Sequence, residues 1–317
     1  MKVLVTGGAG FIGSHLVDRL VDSNDAIVVD NLQSGKKEYI NKKAKFIKAD
    51  VRKFDEINKI IQNEKIEFVF HLSAYADIRN NVRDDRKMII DQNFLATYNV
   101  LEAMKINNVK KIAFTSTSAL YGDNLVENPE ENPLIPISIY SATKIASEKL
   151  IISYCYTFDM QAWIFRPPNV VGPRGTHGVI NDFVLKLTKN KNELEILGNG
   201  KQKKSYLYIS DCIDAILFCT KNAHEKVNIF NIATGDLVDV TTLANIVVDE
   251  MGLKNAKLIY TGLESNWIGD VKCIWLSIDK IKKLGWKPKY NSEKAIRLAV
   301  RWAKDNINLL EKTILNN

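Results

Sequence analysis

The sequence has no apolar run near the roughly 20 residues that a helix needs to cross a bilayer, so a helical membrane span is excluded. Cysteine is scarce. Cys155, Cys212, Cys219 and Cys273 form no CxxC pair, which argues against a disulfide framework and makes a reducing cytoplasm the expected setting. No metal site is read from the sequence. No low-complexity tract or internal repeat interrupts the chain, and disorder is expected only at the last few residues. The N-terminus, one lysine and then a glycine-rich turn, is not built like a signal peptide. The net charge is +7, with lysines clustered in GKKEYINKKAK and GKQKKS. No recognition module or interleaved aromatic pattern accompanies them, so nucleic acid is not an expected partner. They read as a solvated basic surface, with a smaller share as a local attraction for an anionic ligand.

What is present is a 317-residue chain with 46% hydrophobic residues, enough to bury one large core or two lobes. The first half alternates short apolar runs (KVLVTG, AIVVDN, KFIKAD, EFVFHLSA, KKIAFTST) with amphipathic segments (HLVDRLVDSN, DEINKIIQNE, DQNFLATYNVLEAMKINN). That alternation predicts an α/β fold with a doubly wound parallel sheet of the Rossmann type. A long helix is expected from about Tyr140 to Phe158, then a single strand over AWIFRPPNVVG. Beyond Gly172 the pattern loosens into a smaller, interleaved α/β substrate lobe. The expected division is 1–168, with 205–235 returning to it, against 169–204 together with 236–317.

TGGAGFIGSHL, Thr6 to Leu16, follows a strand and opens a helix. Gly8, Gly10 and Gly13 satisfy G-x-G-x-x-G, and Gly7, Gly10 and Gly13 share a three-residue spacing. Such glycines let a pyrophosphate approach the free N–H groups of a helix N-terminus. Asp30 ends the second strand, where a carboxylate accepts both ribose hydroxyls of NAD and repels a 2′-phosphate. NAD is therefore the expected cofactor, with Lys36 and Lys37 leaving some room for NADP.

SIYSATKIASEKL places Tyr140 and Lys144 one helical turn apart. Bringing a tyrosine from its ordinary value near 10 down to pH 7 takes roughly 4 kcal/mol. One cation at about 4 Å, in an effective dielectric near 20, supplies about that much. The phenolate could then take a proton from an alcohol while hydride leaves the same carbon. Ahead of this helix, FTSTSALYG ends a strand in four hydroxyls, Thr115 to Ser118, and Thr117 is placed to bond the same substrate oxygen. No carboxylate follows them.

With these motifs in this order, the chain resembles the extended short-chain dehydrogenase/reductase superfamily, and within it the nucleotide-sugar 4-epimerases of the UDP-glucose 4-epimerase type. The likeness runs nearly end to end, through DNLQSG, YSATK, RPPNVVGPR, GNGKQKKSYLYISD and LGWKP. It implies that Gly7, Gly10, Phe11, Ile12 and Gly13 surround the NAD pyrophosphate. Asp30, Asn31, Ser34 and Gly35 would lie at the adenosine ribose, Asp50 and Val51 at the adenine, and Leu72, Ser73 and Ala74 along the dinucleotide. Asn93 would lie near the catalytic pocket, with Thr117, Tyr140 and Lys144 catalytic. Asn169 would meet the diphosphate side of the sugar nucleotide, and the strand holding Leu194, Glu195 and Ile196 its base. Dehydrating relatives carry Thr-Asp-Glu where this chain has Thr117, Ser118 and Ala119, and decarboxylating relatives carry a Glu there. Without that acid, hydride return, which is epimerisation, is the expected outcome for a 4-keto sugar.

Two departures bear on the substrate. Where many relatives have diphosphate arginines, this chain has Lys204 and Trp267, so Lys204, Arg174 or His177 is expected to serve instead. The size gate for the 2-substituent falls near Cys273 and Ile274, smaller than tyrosine, which leaves N-acetylated hexoses open. The expected function is interconversion of UDP-glucose and UDP-galactose. The alternatives are another UDP-sugar, such as a UDP-N-acetylhexosamine or UDP-hexuronate, or a non-catalytic NAD-binding regulator. The resemblance also implies a homodimer joined through the helices around Asp91–Asn107 and Tyr140–Phe158.

Overall fold

The computed structural model describes residues 1–76, 86–262 and 271–315. In chain order the first half runs β1 (Lys2–Thr6), α1 (Phe11–Leu20), β2 (Asp25–Asp30), β3 (Lys45–Lys48), α2 (Phe54–Glu64) and β4 (Phe68–His71). It continues through α3 (Arg86–Ile90), a π-helical turn (Asp91–Leu95), α4 (Ala96–Ile106), β5 (Lys111–Thr115), β6 (Asn124–Asn128), α5 (Ile139–Phe158) and β7 (Gln161–Arg166). The second half begins with β8 (Asn169–Val171), α6 (Val179–Lys189), β9 (Glu193–Ile196), β10 (Lys203–Lys204), β11 (Tyr206–Tyr208) and α7 (Ile209–Asn222). After these come β12 (Val227–Asn231), β13 (Val238–Asp239), α8 (Val240–Glu250), β14 (Lys257–Tyr260), β15 (Cys273–Leu276), α9 (Asp279–Leu284), α10 (Ser292–Asp305) and α11 (Ile307–Leu315).

Seven strands form one all-parallel sheet in the order β12-β7-β5-β4-β1-β2-β3. Its central strands are mostly apolar because both faces are covered, while the edge strand β3 is KFIK, with both lysines exposed. One face carries Val3, Val5, Phe68, Phe70, Trp163 and Phe165, which pack with Leu16 and Val17 of α1 and Cys212, Ile213 and Ile216 of α7. The other carries Leu4, Ile27, Val69, Ile112 and Ile164 against Ile57 and Ile61 of α2, Val100 and Met104 of α4, and Ile151 and Cys155 of α5. Each such large aliphatic side chain contributes roughly 1.5–3 kcal/mol on burial. The strand order reverses direction between β1 and β4, and in open α/β sheets the ligand crevice lies at the carboxyl ends beside that reversal.

The sheet is the one the sequence predicts, but three features differ from the reading. AWIFRPPNVVG is two strands, not one, because Pro167 and Pro168 have no N–H to donate to a ladder; the chain leaves the main sheet there, and β8 pairs with β11 instead. ISDCIDAILFCTKN, unread in the sequence, is the long helix α7. Finally, β6, from the first half of the chain, joins β13, β10 and β15 in a second sheet of order β13-β10-β15-β6. A third apolar cluster, with Phe183 and Leu187 of α6, Leu243 and Val247 of α8, and Ile296 and Val300 of α10, holds the second half together.

Candidate active site

The turn after β1 is shaped so that no side chain fits. Gly7 has φ +71°, and a Cβ there would lie 2.7 Å from the Ser73 amide nitrogen. At Gly13 a Cβ would lie 2.1 Å from the Gly7 carbonyl oxygen, so α1 abuts the turn directly. Gly10, the residue before α1, has no side chain to cap it, which leaves the first N–H groups of the helix for an anion. Phe11 and Ile12 follow, half-buried. Beside the turn, the Leu72 amide donates to the Thr6 carbonyl at 3.1 Å, bringing Leu72, Ser73 and Ala74 alongside the cradle from the end of β4.

Asp30 ends β2, buried, with one oxygen accepting from the Ala9 amide at 3.1 Å and the other from the Leu32 amide at 2.8 Å. Burial raises its pKa, and the two backbone donors oppose that rise. Each oxygen keeps a lone pair for a hydroxyl. A Cβ at Gly35 would lie 2.7 Å from Asp30 Oδ1, so this glycine closes over the carboxylate, with Ser34 exposed next to it. The Asn31 amide donates to Asp50 at 3.3 Å, and the Arg52 fork holds the Asp50 carboxyl well below the usual range, at about 2. Val51 is buried, its carbonyl accepting from Asn99. A cradle that a Cβ would fill, next to a buried carboxylate with open lone pairs, fits the pyrophosphate and ribose of NAD.

At the end of β5, Thr117 caps a short 3-10 turn (Ser118–Tyr121), its hydroxyl accepting from the Ala119 amide at 3.2 Å. The Ser118 amide donates to the Pro167 carbonyl, which ties the turn to the chain leaving β7. A capping box between Ser138 and Ser141 starts α5 and sets Tyr140 in its first turn. Tyr140 and Lys144 are both buried, and the Thr117 side chain lies near the Tyr140 phenol. Burial pushes Tyr140 up to about 12, while the nearby Thr117 side chain opposes the rise. Burial also brings Lys144 down to about 7, with Glu148 opposing, and its ammonium sits 4.3 Å from the centre of the Phe114 ring. The simple attraction expected from the sequence is thus countered by desolvation, which penalises the charged form of both partners.

Asn93 lies on the π-helical turn and is a strut. Its amide oxygen accepts from the Tyr75 amide at 2.7 Å, and its amide nitrogen donates to the Tyr75 carbonyl at 3.2 Å and the Thr143 hydroxyl at 3.1 Å. The turn thereby fixes α5 to the segment after β4; π-bulges of this kind recur at functional sites.

Two features of the site went unread in the sequence. His71 is fully buried between the Thr6 hydroxyl at 2.7 Å and the Thr97 hydroxyl at 3.1 Å, and burial, with Lys144 nearby, lowers its pKa to about 3. One turn beyond Lys144, Glu148 accepts a forked pair from buried Arg166 at 3.1 and 2.7 Å. Arg166 also donates to the Tyr121 hydroxyl at 2.8 Å and the Glu130 carbonyl at 2.9 Å, joining catalytic helix and catalytic turn. No local pattern announces a pair whose members lie 18 positions apart in different elements.

The expected substrate residues scatter more. Asn169 opens β8, exposed, in register with Tyr206. Leu194 and Ile196 turn their side chains into the apolar cluster of the second half. Glu193 and Glu195 of that strand face out, Glu195 lying 3.4 Å from the Lys186 ammonium. Lys204 pairs in register with Val238 and Ile274, next to Cys273. Arg174 is held by Asp18 at 2.8 Å. Trp267 lies outside the described residues.

A family profile described as "NAD dependent epimerase/dehydratase family" matches residues 3–233. A putative UDP-glucose 4-epimerase of Methanocaldococcus jannaschii is 37% identical over 96% of this chain and 99% of its own length. A UDP-glucuronate 4-epimerase of Thermodesulfobacterium geofontis is 30% identical over 97% of this chain and 98% of its own. Among solved structures, the UDP-glucose 4-epimerase of Thermotoga maritima with UDP-glucose superposes with a TM-score of 0.89, at 31% identity, covering 97% of this chain and 100% of that one. Cradle, buried carboxylate, Tyr–Lys helix and these likenesses agree: the chain belongs to the NAD-dependent epimerase/dehydratase family, as an enzyme of the nucleotide-sugar epimerase kind that works with NAD.

Proposed function

We propose that this enzyme interconverts the C4 epimers of a UDP-hexose, UDP-glucose and UDP-galactose first among them. One observation carries the choice of reaction. The turn beside Tyr140 presents the Thr117 hydroxyl and has no carboxyl group from Phe114 to Gly122 that could drive elimination. In this reading Tyr140 takes the proton of the sugar 4-hydroxyl, Thr117 holds that oxygen, and a charged Lys144 stabilises the phenolate. The chemistry that NAD supplies when bound is reversible hydride exchange with C4. Gly7, Gly10, Phe11, Ile12 and Gly13 would hold its pyrophosphate, Asp30, Asn31, Ser34 and Gly35 its ribose, and Asp50 and Val51 its adenine. Leu72, Ser73 and Ala74 would line it, and Asn93 would position the helix that acts on it. On the substrate side, Asn169 and Lys204 are proposed for the diphosphate and the edge of Leu194–Ile196 for the base.

A second substrate has specific support. Ile274, next to Lys204, is smaller than a tyrosine, so a 2-acetamido group fits where a bulkier gate would exclude it. Proton NMR of the enzyme with UDP-galactose, UDP-N-acetylgalactosamine and UDP-galacturonate tests both readings. Conversion of any one to its gluco epimer without net NAD consumption establishes 4-epimerisation. Conversion of none, with NAD bound, removes it.

A homodimer is also proposed. Tyr98 and Ile106 on α4 and Tyr156 on α5 stand 42%, 57% and 70% exposed, an apolar surface suited to a four-helix contact with a second copy. Light scattering returning only a 35.9 kDa species would remove it. No described helix is long and apolar enough to cross a membrane, and the four cysteines are free and buried, which supports a working place in the reducing cytoplasm.

A further inference from the structure

Gln202 stands in GNGKQKKSY, just before β10, and is 5% exposed. Neither its amide nitrogen nor its amide oxygen has a hydrogen-bond partner among the described residues. Its backbone is used, the carbonyl accepting from the Val240 amide at 3.1 Å, so the strand is anchored and only the side chain is unspent. A primary amide has two donors and an acceptor with two lone pairs, and protein interiors rarely bury one without partners.

The register of the second sheet gives this side chain its neighbourhood. Side chains two apart on a strand share a face, so Gln202 shares one with Lys204. Lys204 is in register with Ile274 on one side and Val238 on the other, so Ile274 lies on that face as well. Ile274 in turn belongs to the apolar cluster that contains Leu120 and Tyr121 of the catalytic turn. The face carrying Gln202 is therefore the one directed at the catalytic turn, while exposed Lys203 occupies the opposite face.

From this placement we propose that Gln202 is a substrate-recognition residue whose amide pairs with an amide or imide group of the nucleotide sugar. The inference rests on the nucleotide-sugar reading of the site. An imide edge sets an N–H beside a C=O, so it satisfies both ends of a glutamine amide at once. In a UDP-sugar the uracil imide has this chemistry; a 2-acetamido group, where the sugar carries one, is a trans secondary amide whose N–H and C=O point opposite ways, so it engages only one end of the glutamine. The other side chains proposed for the ligand are Lys204, which only donates, and Asn169, which stands on another strand. Gln202 adds a matched donor and acceptor.

An orphaned amide weakens the free protein and is relieved by the ligand, so the proposal makes two readouts move in opposite directions. Gln202→Met keeps length and volume and removes both polar atoms. The NAD-loaded variant without sugar nucleotide should melt at a temperature raised by on the order of 1–3 °C, because a buried polar group without partners has been replaced by an apolar one. In calorimetric titrations the same variant should bind more weakly by about 10-fold. The ligand series locates the group. Losses for UDP, UDP-galactose and UDP-N-acetylgalactosamine alike assign it to uracil, and a loss confined to UDP-N-acetylgalactosamine assigns it to the acetamido group. Unchanged affinity for all three, while the unmodified enzyme binds them, overturns the inference and leaves the functional reading standing. A lowered melting temperature with unchanged affinity also overturns it, since Gln202 would then serve the fold. If the unmodified enzyme binds none of the three, the functional reading falls and takes the inference with it.

Discussion

Replacing Glu148 by Gln tests whether the buried pair beneath the catalytic lysine holds the site together. Glu148 and Arg166 have side chains 0% and 2% exposed, and both carboxylate oxygens are engaged by the guanidinium. Neutralising the acid leaves a positive charge in the interior with its counter-charge gone, a loss of about 3–5 kcal/mol for breaking a buried pair. Gln keeps one acceptor facing the fork, so the expected loss is near the lower end, roughly 3 kcal/mol. Glu148→Leu with Arg166→Met removes both charges. That alone is neutral or better in many interiors. Here it also strips a donor from the Tyr121 hydroxyl and the Glu130 carbonyl, so the double variant should still lose about 2–4 kcal/mol. The double variant should therefore be far better than the sum of Glu148→Leu and Arg166→Met alone, with a coupling energy above about 2 kcal/mol. Urea unfolding at pH 7, read as midpoint shifts at constant slope, supplies all four corners. Glu148→Gln within about 1 kcal/mol of the unmodified protein, or a double variant equal to the sum, would refute the reasoning. Turnover should move too: Glu148 opposes the fall of Lys144, so without it less of the lysine is charged at neutral pH.

Three further outcomes are expected. Tyr140→Phe should cut turnover by orders of magnitude with NAD binding and circular dichroism unchanged, and near-normal turnover would fail the assignment. Lys144 titrates from 10.5 down to about 7 on folding, so between these values the unfolded chain holds a proton that the folded one lacks, and stability rises with pH. From pH 7 to 8, below the range where the raised Tyr140 and the buried cysteines act in the opposite sense, the rise is about 1 kcal/mol. Urea midpoints for Lys144→Met should lose that slope, and an unchanged slope excludes a buried, neutralised lysine. Gly13→Ala sets a Cβ 2.1 Å from the Gly7 carbonyl oxygen, so the turn must move. The purified variant should retain at least about 10-fold less NAD, or fail to fold, and full retention would show that the cradle is not the phosphate site.

What could be read in the sequence was what is local. The strands of the parallel sheet announced themselves as apolar runs, the cradle as glycines between a strand and a helix, and Tyr140 with Lys144 as one helical turn. The second sheet was illegible for a physical reason. It draws strands of two to five residues from four distant places, and strands that short have no period to detect. The break at Pro167–Pro168 was written in the sequence and read past. Helix α7 has buried Cys212, Ile213, Ile216 and Cys219 at helical spacing, yet it follows directly on β11, and its first residues, Ile209 to Asp211, read as the end of a strand. The site was legible in its donors and acceptors but not in its solvation. Nothing in SIYSATK reports that Tyr140 and Lys144 are buried, and burial is what drives both toward their neutral forms.

The edge of the cofactor sheet has a temporal consequence. β12 covers β7, yet the chain supplies it only after β8 to β11 and two helices have been made. A nascent chain that has just emitted Arg166 therefore exposes the backbone groups of a Trp- and Phe-bearing strand along a full side. At about 5–20 residues per second, that side stays open on the order of several seconds before Val227–Asn231 arrives to close it. The two halves of this protein are therefore not two folding units made one after the other. The first waits, with an open flank, for a strand that the second delivers, and that interval is when a chaperone or a second nascent chain competes for the edge.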